Sequence, residues 1–139
     1  MLRPEIAAKL DELEILSTPQ RLEIAEILLE RPQHLSAEHI IDRLRASGSG
    51  VSKATVYNTL KLFTERGLVR ECVVDPERRF YDSTIEPHHH FYNLDTGELT
   101  DIPAESIRIE GLPQFPENGE LDSVEVVIRF RRGSAEKPV

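Results

Sequence analysis

Hydrophobic and polar positions recur with a helical period over the first half of the chain and with a period nearer two over the second. Ile6, Leu10, Leu13 and Leu16 are spaced for one face of a helix over residues 4–16, and Pro4 suits its first turn. Thr18 predicts the cap of a second helix that opens on Pro19, turns Leu22, Ala25, Leu28 and Leu29 inward and ends before Pro32. Ser36 caps a third, with Ala37, Ile40, Ile41 and Leu44 on one side, and the stretch 46–50, ASGSG, is a flexible turn. Ser52 caps a fourth that runs to Arg66, where Gly67 can take the left-handed conformation. Its stripe of Val56, Leu60 and Phe63 is narrow, leaving Lys53, Thr55, Tyr57, Asn58, Thr59 and Lys61 for other faces.

Past Gly67 the pattern reads as strands. Leu68 to Val74 and Arg79 to Asp82 flank DPER, whose Asp-Pro favours a tight turn. The third and fourth helices across a short Gly-containing turn have the helix-turn-helix pattern, and a hairpin directly after them makes it a winged helix. Asp95-Thr96-Gly97 predicts a hairpin turn before a strand ending at Asp101. Ile102 to Ile109 is expected as a short helix, 111–120 as a loop, and 123–131 as a half-buried strand with Val124, Val126, Ile128 and Phe130 on one face. The expected fold is α+β: an N-terminal winged helix-turn-helix over 1–83, a small α/β dimerisation domain over 84–132 and a disordered tail over 133–139. The second unit is thin for an independent core, which calls for a partner subunit.

Charge sharpens this division. Of 17 Lys/Arg and 25 Asp/Glu, residues 1–82 hold 12 and 14 and residues 83–139 hold 5 and 11, giving −2 and −6 of the total −8. Within 43–70, Arg43, Arg45, Lys53, Lys61, Arg66 and Arg70 face one acid, Glu65. Phosphate contacts depend on the local field, so this block counts for more than the acidic total. Lys53 and Lys61 suit phosphates, Tyr57 and Asn58 suit base edges, Thr55 lies among them, and Arg78 can serve the wing. The chain has no apolar run near the roughly 18 residues of a membrane span, so the expected location is the cytoplasm. The single cysteine, Cys72, excludes an internal disulfide or a cysteine-based zinc site and reads as a buried, inert thiol.

The candidate chemistry is concentrated at His88, His89 and His90, between Asp82 and Asp101. In an extended stretch His88 and His90 share one side and His89 faces the other. Imidazole with carboxylate suits iron, zinc or manganese, and imidazole also suits haem iron; the plain alternative is a solvated loop. Two histidines and a carboxylate can also form the site of a small non-haem iron metalloenzyme, but no pocket signal or general base accompanies them.

TPQR at 18–21, HLSAEHI at 34–40, SKATVYNTL at 52–60, GLV at 67–69, RFYD at 79–82 and HHH at 88–90 resemble, in order and spacing, the Fur (ferric uptake regulator) family of metal-responsive transcription regulators. Within it the likeness is to the iron response regulators, including a shortened dimerisation region. The resemblance implies a homodimer on double-stranded operator DNA, controlling iron and haem metabolism genes. It places a regulatory site for Fe²⁺, Mn²⁺ or Zn²⁺ on His34, Asp82, His88, His90 and Asp101, with haem, if bound, at His88, His89 and His90. Taken alone, His34 reads as a surface residue, as does His39. Asn93 and Thr96 stand where many members carry a cysteine pair, so no cysteine-held structural zinc is expected. A winged-helix DNA binder without sensing is the remaining alternative.

Overall fold

A computed structural model describes residues 1–133, and the chain folds as two compact units, Met1–Ile85 and a second beginning at Glu86. In the first unit the order is α1 (Arg3–Glu12), α2 (Pro19–Leu28), β1 (His34–Leu35), α3 (Ala37–Ala46), α4 (Lys53–Glu65), β2 (Arg70–Asp75) and β3 (Arg78–Asp82). The helix starts follow from side-chain caps. Thr18 Oγ1 accepts from the Arg21 amide at 3.3 Å, and Ser52 Oγ from the Thr55 amide at 3.1 Å. At α3 the cap is reciprocal: Ser36 Oγ accepts from the His39 amide, and His39 Nδ1 accepts from the Ser36 amide at 3.3 Å. His39 thus fills the place usually taken by Glu or Gln in a capping box.

Three helices end in the same way. After α3 and α4, Gly48 and Gly67 take φ of 80° and 82°, and the amides that follow reach back to Leu44 O and Phe63 O at 2.9 Å. This is the Schellman ending, in which a left-handed residue lets the chain turn back over the last turn. After α1 the same place holds Glu14 at φ 59°, with Ile15 N donating to Leu10 O at 2.8 Å and Glu14 O accepting from Arg66 at 2.9 Å. The expected helix over 4–16 is therefore cut short: Ile15 swings into the core and Leu16 is left 75% exposed.

The core of this unit is apolar and continuous. Ile6, Leu10, Ile15, Ile24, Leu28, Ile40, Leu44, Val56, Leu60 and Phe63 pack together, joined by Tyr81 from the sheet. Thr59, expected on an outer face of α4, is buried beside Leu60. The sheet is antiparallel with order β1-β3-β2, registering His34 with Asp82 and Cys72 with Phe80. The β2–β3 turn is closed by Asp75 Oδ1, which accepts from the Glu77 amide at 2.9 Å.

The second unit contains β4 (His88–Asn93), β5 (Leu99–Pro103) and β6 (Val127–Phe130), in the order β5-β4-β6. The β4–β5 turn is tied by Asn93 Oδ1, which accepts from the Asp95 and Thr96 amides, while Gly97 takes φ 75°. β6 pairs with β4 in parallel, so the segment between β5 and β6 is a crossover. Two expectations are corrected here. The helix predicted over 102–109 is a single 3₁₀ turn, Ala104–Ser106: Ile102 belongs to β5, and Ile109 lies exposed, so the segment has no apolar face to bury. The strand predicted over 123–131 shrinks to Val127–Phe130, with Ile128 and Phe130 about 40% exposed instead of half buried. Among its described residues this unit therefore has strands and 3₁₀ turns but no α-helix. Gly133 is exposed coil, and the rest of the expected disordered tail lies outside the described residues. No helix among the described residues is long and apolar enough to cross a membrane.

Candidate metal centre and nucleic-acid face

Each unit prepares its own set of metal-ligating side chains. In the first, the β1–β3 register sets His34 opposite Asp82, and residues paired across strands share a face. His34 Nε2 lies 3.1 Å from Asp82 Oδ2. Asp82 is 2% exposed, and its other oxygen, Oδ1, accepts from the Thr84 amide at 2.9 Å. A carboxylate buried to this degree is sustained by such partners.

In the second unit, β5 sets Asp101 directly opposite His90 and diagonal to His88. Asp101 Oδ1 is 3.3 Å from His88 Nε2 and 3.4 Å from His90 Nε2. Those separations are about the edge of a tetrahedron around an ion with bonds of about 2.1 Å, so the three donors fit one small divalent cation. The remaining ring nitrogens are held from outside: His88 Nδ1 is 2.6 Å from Glu86 O, and His90 Nδ1 is 3.0 Å from Glu125 Oε1. Each ring thus presents Nδ1 to an oxygen behind it and Nε2 to the shared carboxylate of Asp101.

His89 goes the other way. It is buried, and its Nδ1 accepts from the Val126 amide at 2.9 Å, tying β4 to the chain just before β6. The sequence does not announce Glu86 O and Glu125 as partners of these histidines. A backbone carbonyl leaves no residue signal, and Glu125 reaches His90 only because β6 runs parallel to β4.

The residues expected at nucleic acid all lie in the first unit. Lys53, Tyr57 and Lys61 recur every four residues along α4, away from Val56, Leu60 and Phe63, and they are exposed, as is the adjacent Asn58. Thr55 is half buried, and its hydroxyl contacts Ser52 Oγ at 2.9 Å, so it serves the cap. Tyr57 donates its hydroxyl to Glu38 Oε1 on α3 at 2.7 Å. That bond holds the Glu38 carboxyl below its usual range and pushes the Tyr57 phenol up. Glu38, Tyr57, Arg79 and Tyr81 line one cleft of about 110 Å³ between α3, α4 and the hairpin. Arg78 is exposed at the hairpin turn, 3.9 Å from Asp75.

Known proteins define the class. Residues 12–128 match the model of the ferric uptake regulator family. Over 106 residues the chain is 31% identical to the ferric uptake regulation protein of Synechococcus elongatus, covering 73% of this chain and 72% of that protein. Over 98 residues it is 33% identical to the peroxide operon regulator of Bacillus subtilis, covering 70% and 68%. Among solved structures, the ferric uptake regulator from Pseudomonas aeruginosa with manganese superposes with a TM-score of 0.71 at 25% identity, covering 96% of this chain and all of that one. The relatives are metal-responsive transcription regulators and not enzymes. The chain belongs to the ferric uptake regulator family.

Proposed function

We propose that this protein is a homodimeric transcription regulator that binds operator DNA and whose DNA affinity is set by a divalent metal ion. In this reading α3, α4 and the β2–β3 hairpin form a winged helix. α4 enters the major groove with Tyr57 and Asn58 at base edges, Lys53 and Lys61 contact phosphates, and Arg78 adds a contact from the wing. The metal is held by His34, Asp82, His88, His90 and Asp101, so that one ion draws ligands from both units and its occupancy biases how the DNA-binding unit is presented. The second copy pairs through the second unit, whose edge strand exposes Ile128 and Phe130.

One observation carries the metal reading: in the second unit two imidazoles have their Nδ1 atoms satisfied and their Nε2 atoms converging on one carboxylate oxygen. Such outer partners are what a metal-binding histidine requires. The manganese in the Pseudomonas aeruginosa relative supports Mn²⁺ or Fe²⁺ as the ion, with Zn²⁺ also suited by the donor set. Haem, and with it the iron response regulator likeness, is a further reading; His89, one of its expected ligands, has Nδ1 engaged by Val126.

The test is gel shift of a labelled operator duplex with the purified protein, stripped of metal and then supplied with Mn²⁺ or with haem. Wild type is expected to change DNA affinity at least tenfold on adding Mn²⁺, and the His34→Ala and His88→Ala variants to lose that response alike. A response that survives either substitution removes the shared site. A response to haem alone replaces the metal by haem.

A further inference from the structure

Glu125 lies outside the five ligands, yet it makes the closest carboxylate contact to the most buried of their three imidazoles. His90 is 3% exposed, and its Nδ1 is 3.0 Å from Glu125 Oε1. His88 has the equivalent restraint from a backbone carbonyl, Glu86 O, which no side-chain substitution removes. For His90 the restraint is a side chain, brought there by the parallel approach of β6. The same short segment is held twice more by the histidine run: Val126 N donates to His89 Nδ1 at 2.9 Å, and Val126 O accepts from His90 N at 3.0 Å.

We propose that Glu125 is a positioning residue for the metal ligand His90: it fixes the proton on Nδ1, aims Nε2 at the ion and raises its donor strength, without coordinating the metal. The inference rests on the metal reading above. Its physical basis is general. An imidazole whose far nitrogen donates to a carboxylate is locked in one tautomer and one ring orientation, and loss of such a partner weakens metal affinity about 10–100-fold. Because Glu125 and Val126 lead directly into β6, an ion that sharpens the His90–Glu125 bond also tightens the strand that closes this edge of the sheet.

The experiment uses the full chain and the variants Glu125→Ala, Glu125→Gln and His90→Ala. Zn²⁺ affinity is measured by competition with a chromophoric chelator, coordination by Co²⁺ absorption, and the His90 Nδ1 proton by long-range ¹H–¹⁵N spectra of the Zn²⁺-loaded protein. Glu125→Ala is expected to bind Zn²⁺ about 10–100-fold more weakly, with the Co²⁺ band envelope of wild type and without the protected Nδ1 proton. Glu125→Gln keeps an acceptor oxygen and is expected to recover most of the affinity and the proton. If Glu125→Ala does not fold, the Gln variant decides: a wild-type Co²⁺ envelope with the Nδ1 proton retained supports the role, and either one lost overturns it. Glu125→Ala within twofold of wild type, or an altered Co²⁺ envelope marking Glu125 as a ligand, overturns the inference. His90→Ala with undiminished Zn²⁺ binding would instead overturn the metal site itself.

Discussion

The two units spend their buried volume differently. The first fills its interior with Ile, Leu, Val and Phe from four helices, and keeps His34 and Asp82 on the sheet where β1 pairs with β3. The second buries few large apolar side chains, Tyr92, Leu99 and Ile102 among them, and places His89 and His90 in the same interior. A core of close-packed hydrocarbon is stable by itself, because each buried side chain contributes about 1.5–3 kcal/mol. An interior shared with imidazoles needs every ring nitrogen satisfied, so its stability depends on what those nitrogens meet.

The largest effect that would test this contrast is in the first unit. Leu60, fully buried on α4, should cost about 2–5 kcal/mol when truncated in Leu60→Ala. Thermal denaturation followed by circular dichroism should show the loss with or without metal; a loss that metal reverses would mean the first core is not self-sufficient. A smaller change is expected from metal removal. If Mn²⁺ binds the native second unit, a concentration 100 times its Kd stabilises by about 2.7 kcal/mol, so chelation should lower the melting temperature by an amount that grows with the metal previously present. An unchanged melting temperature over that range would break the comparison at the second unit.

The smallest effect belongs to the surface of the first unit, at Glu38 and Tyr57. The Glu38 pKa is depressed by the Tyr57 hydrogen bond, so its contribution is present above the ordinary carboxylate range and lost as pH falls through the lowered value. The Tyr57 pKa is raised, so its contribution is present below the ordinary phenol range and lost as pH climbs through the raised value. Stability measured against pH should therefore drop at both ends, by under about 1 kcal/mol because the pair is largely exposed. Glu38→Gln should flatten the acid drop, and an unaltered acid limb would show that the bond carries no stability.

How much of this was readable beforehand depends on whether a residue announces its geometry. Ser36, Ser52 and Gly67 did, because capping hydroxyls and a glycine past a helix end each have one common use. Glu14 did not: it performs at α1 what Gly48 and Gly67 perform at α3 and α4, without glycine's signature, so the apolar spacing ran on to Leu16. His39 lies exposed, as expected of a surface residue, but its capping bond goes unannounced because imidazole is an unusual partner in a capping box. In the second unit, alternation along 123–131 identified apolar positions but could not say that the strand would lie parallel to β4 or that Ile128 and Phe130 would stay exposed. The face shared by His88 and His90 was legible from the two-residue period. The acceptors behind them, Glu86 O and Glu125, were not, since both depend on tertiary placement.

The Asx turn at Asp82 bears on which ions could be tolerated. With Oδ1 accepting from the Thr84 amide and Oδ2 lying 3.1 Å from His34 Nε2, the two oxygens of this carboxylate are unequal, which favours single-point ligation beside an imidazole. Large alkaline-earth cations are commonly gripped by both oxygens of a carboxylate and by many donors at longer range, whereas compact transition ions accept one oxygen beside imidazole nitrogen. A two-residue turn in the backbone thus sets the orientation of this carboxylate before any ion arrives.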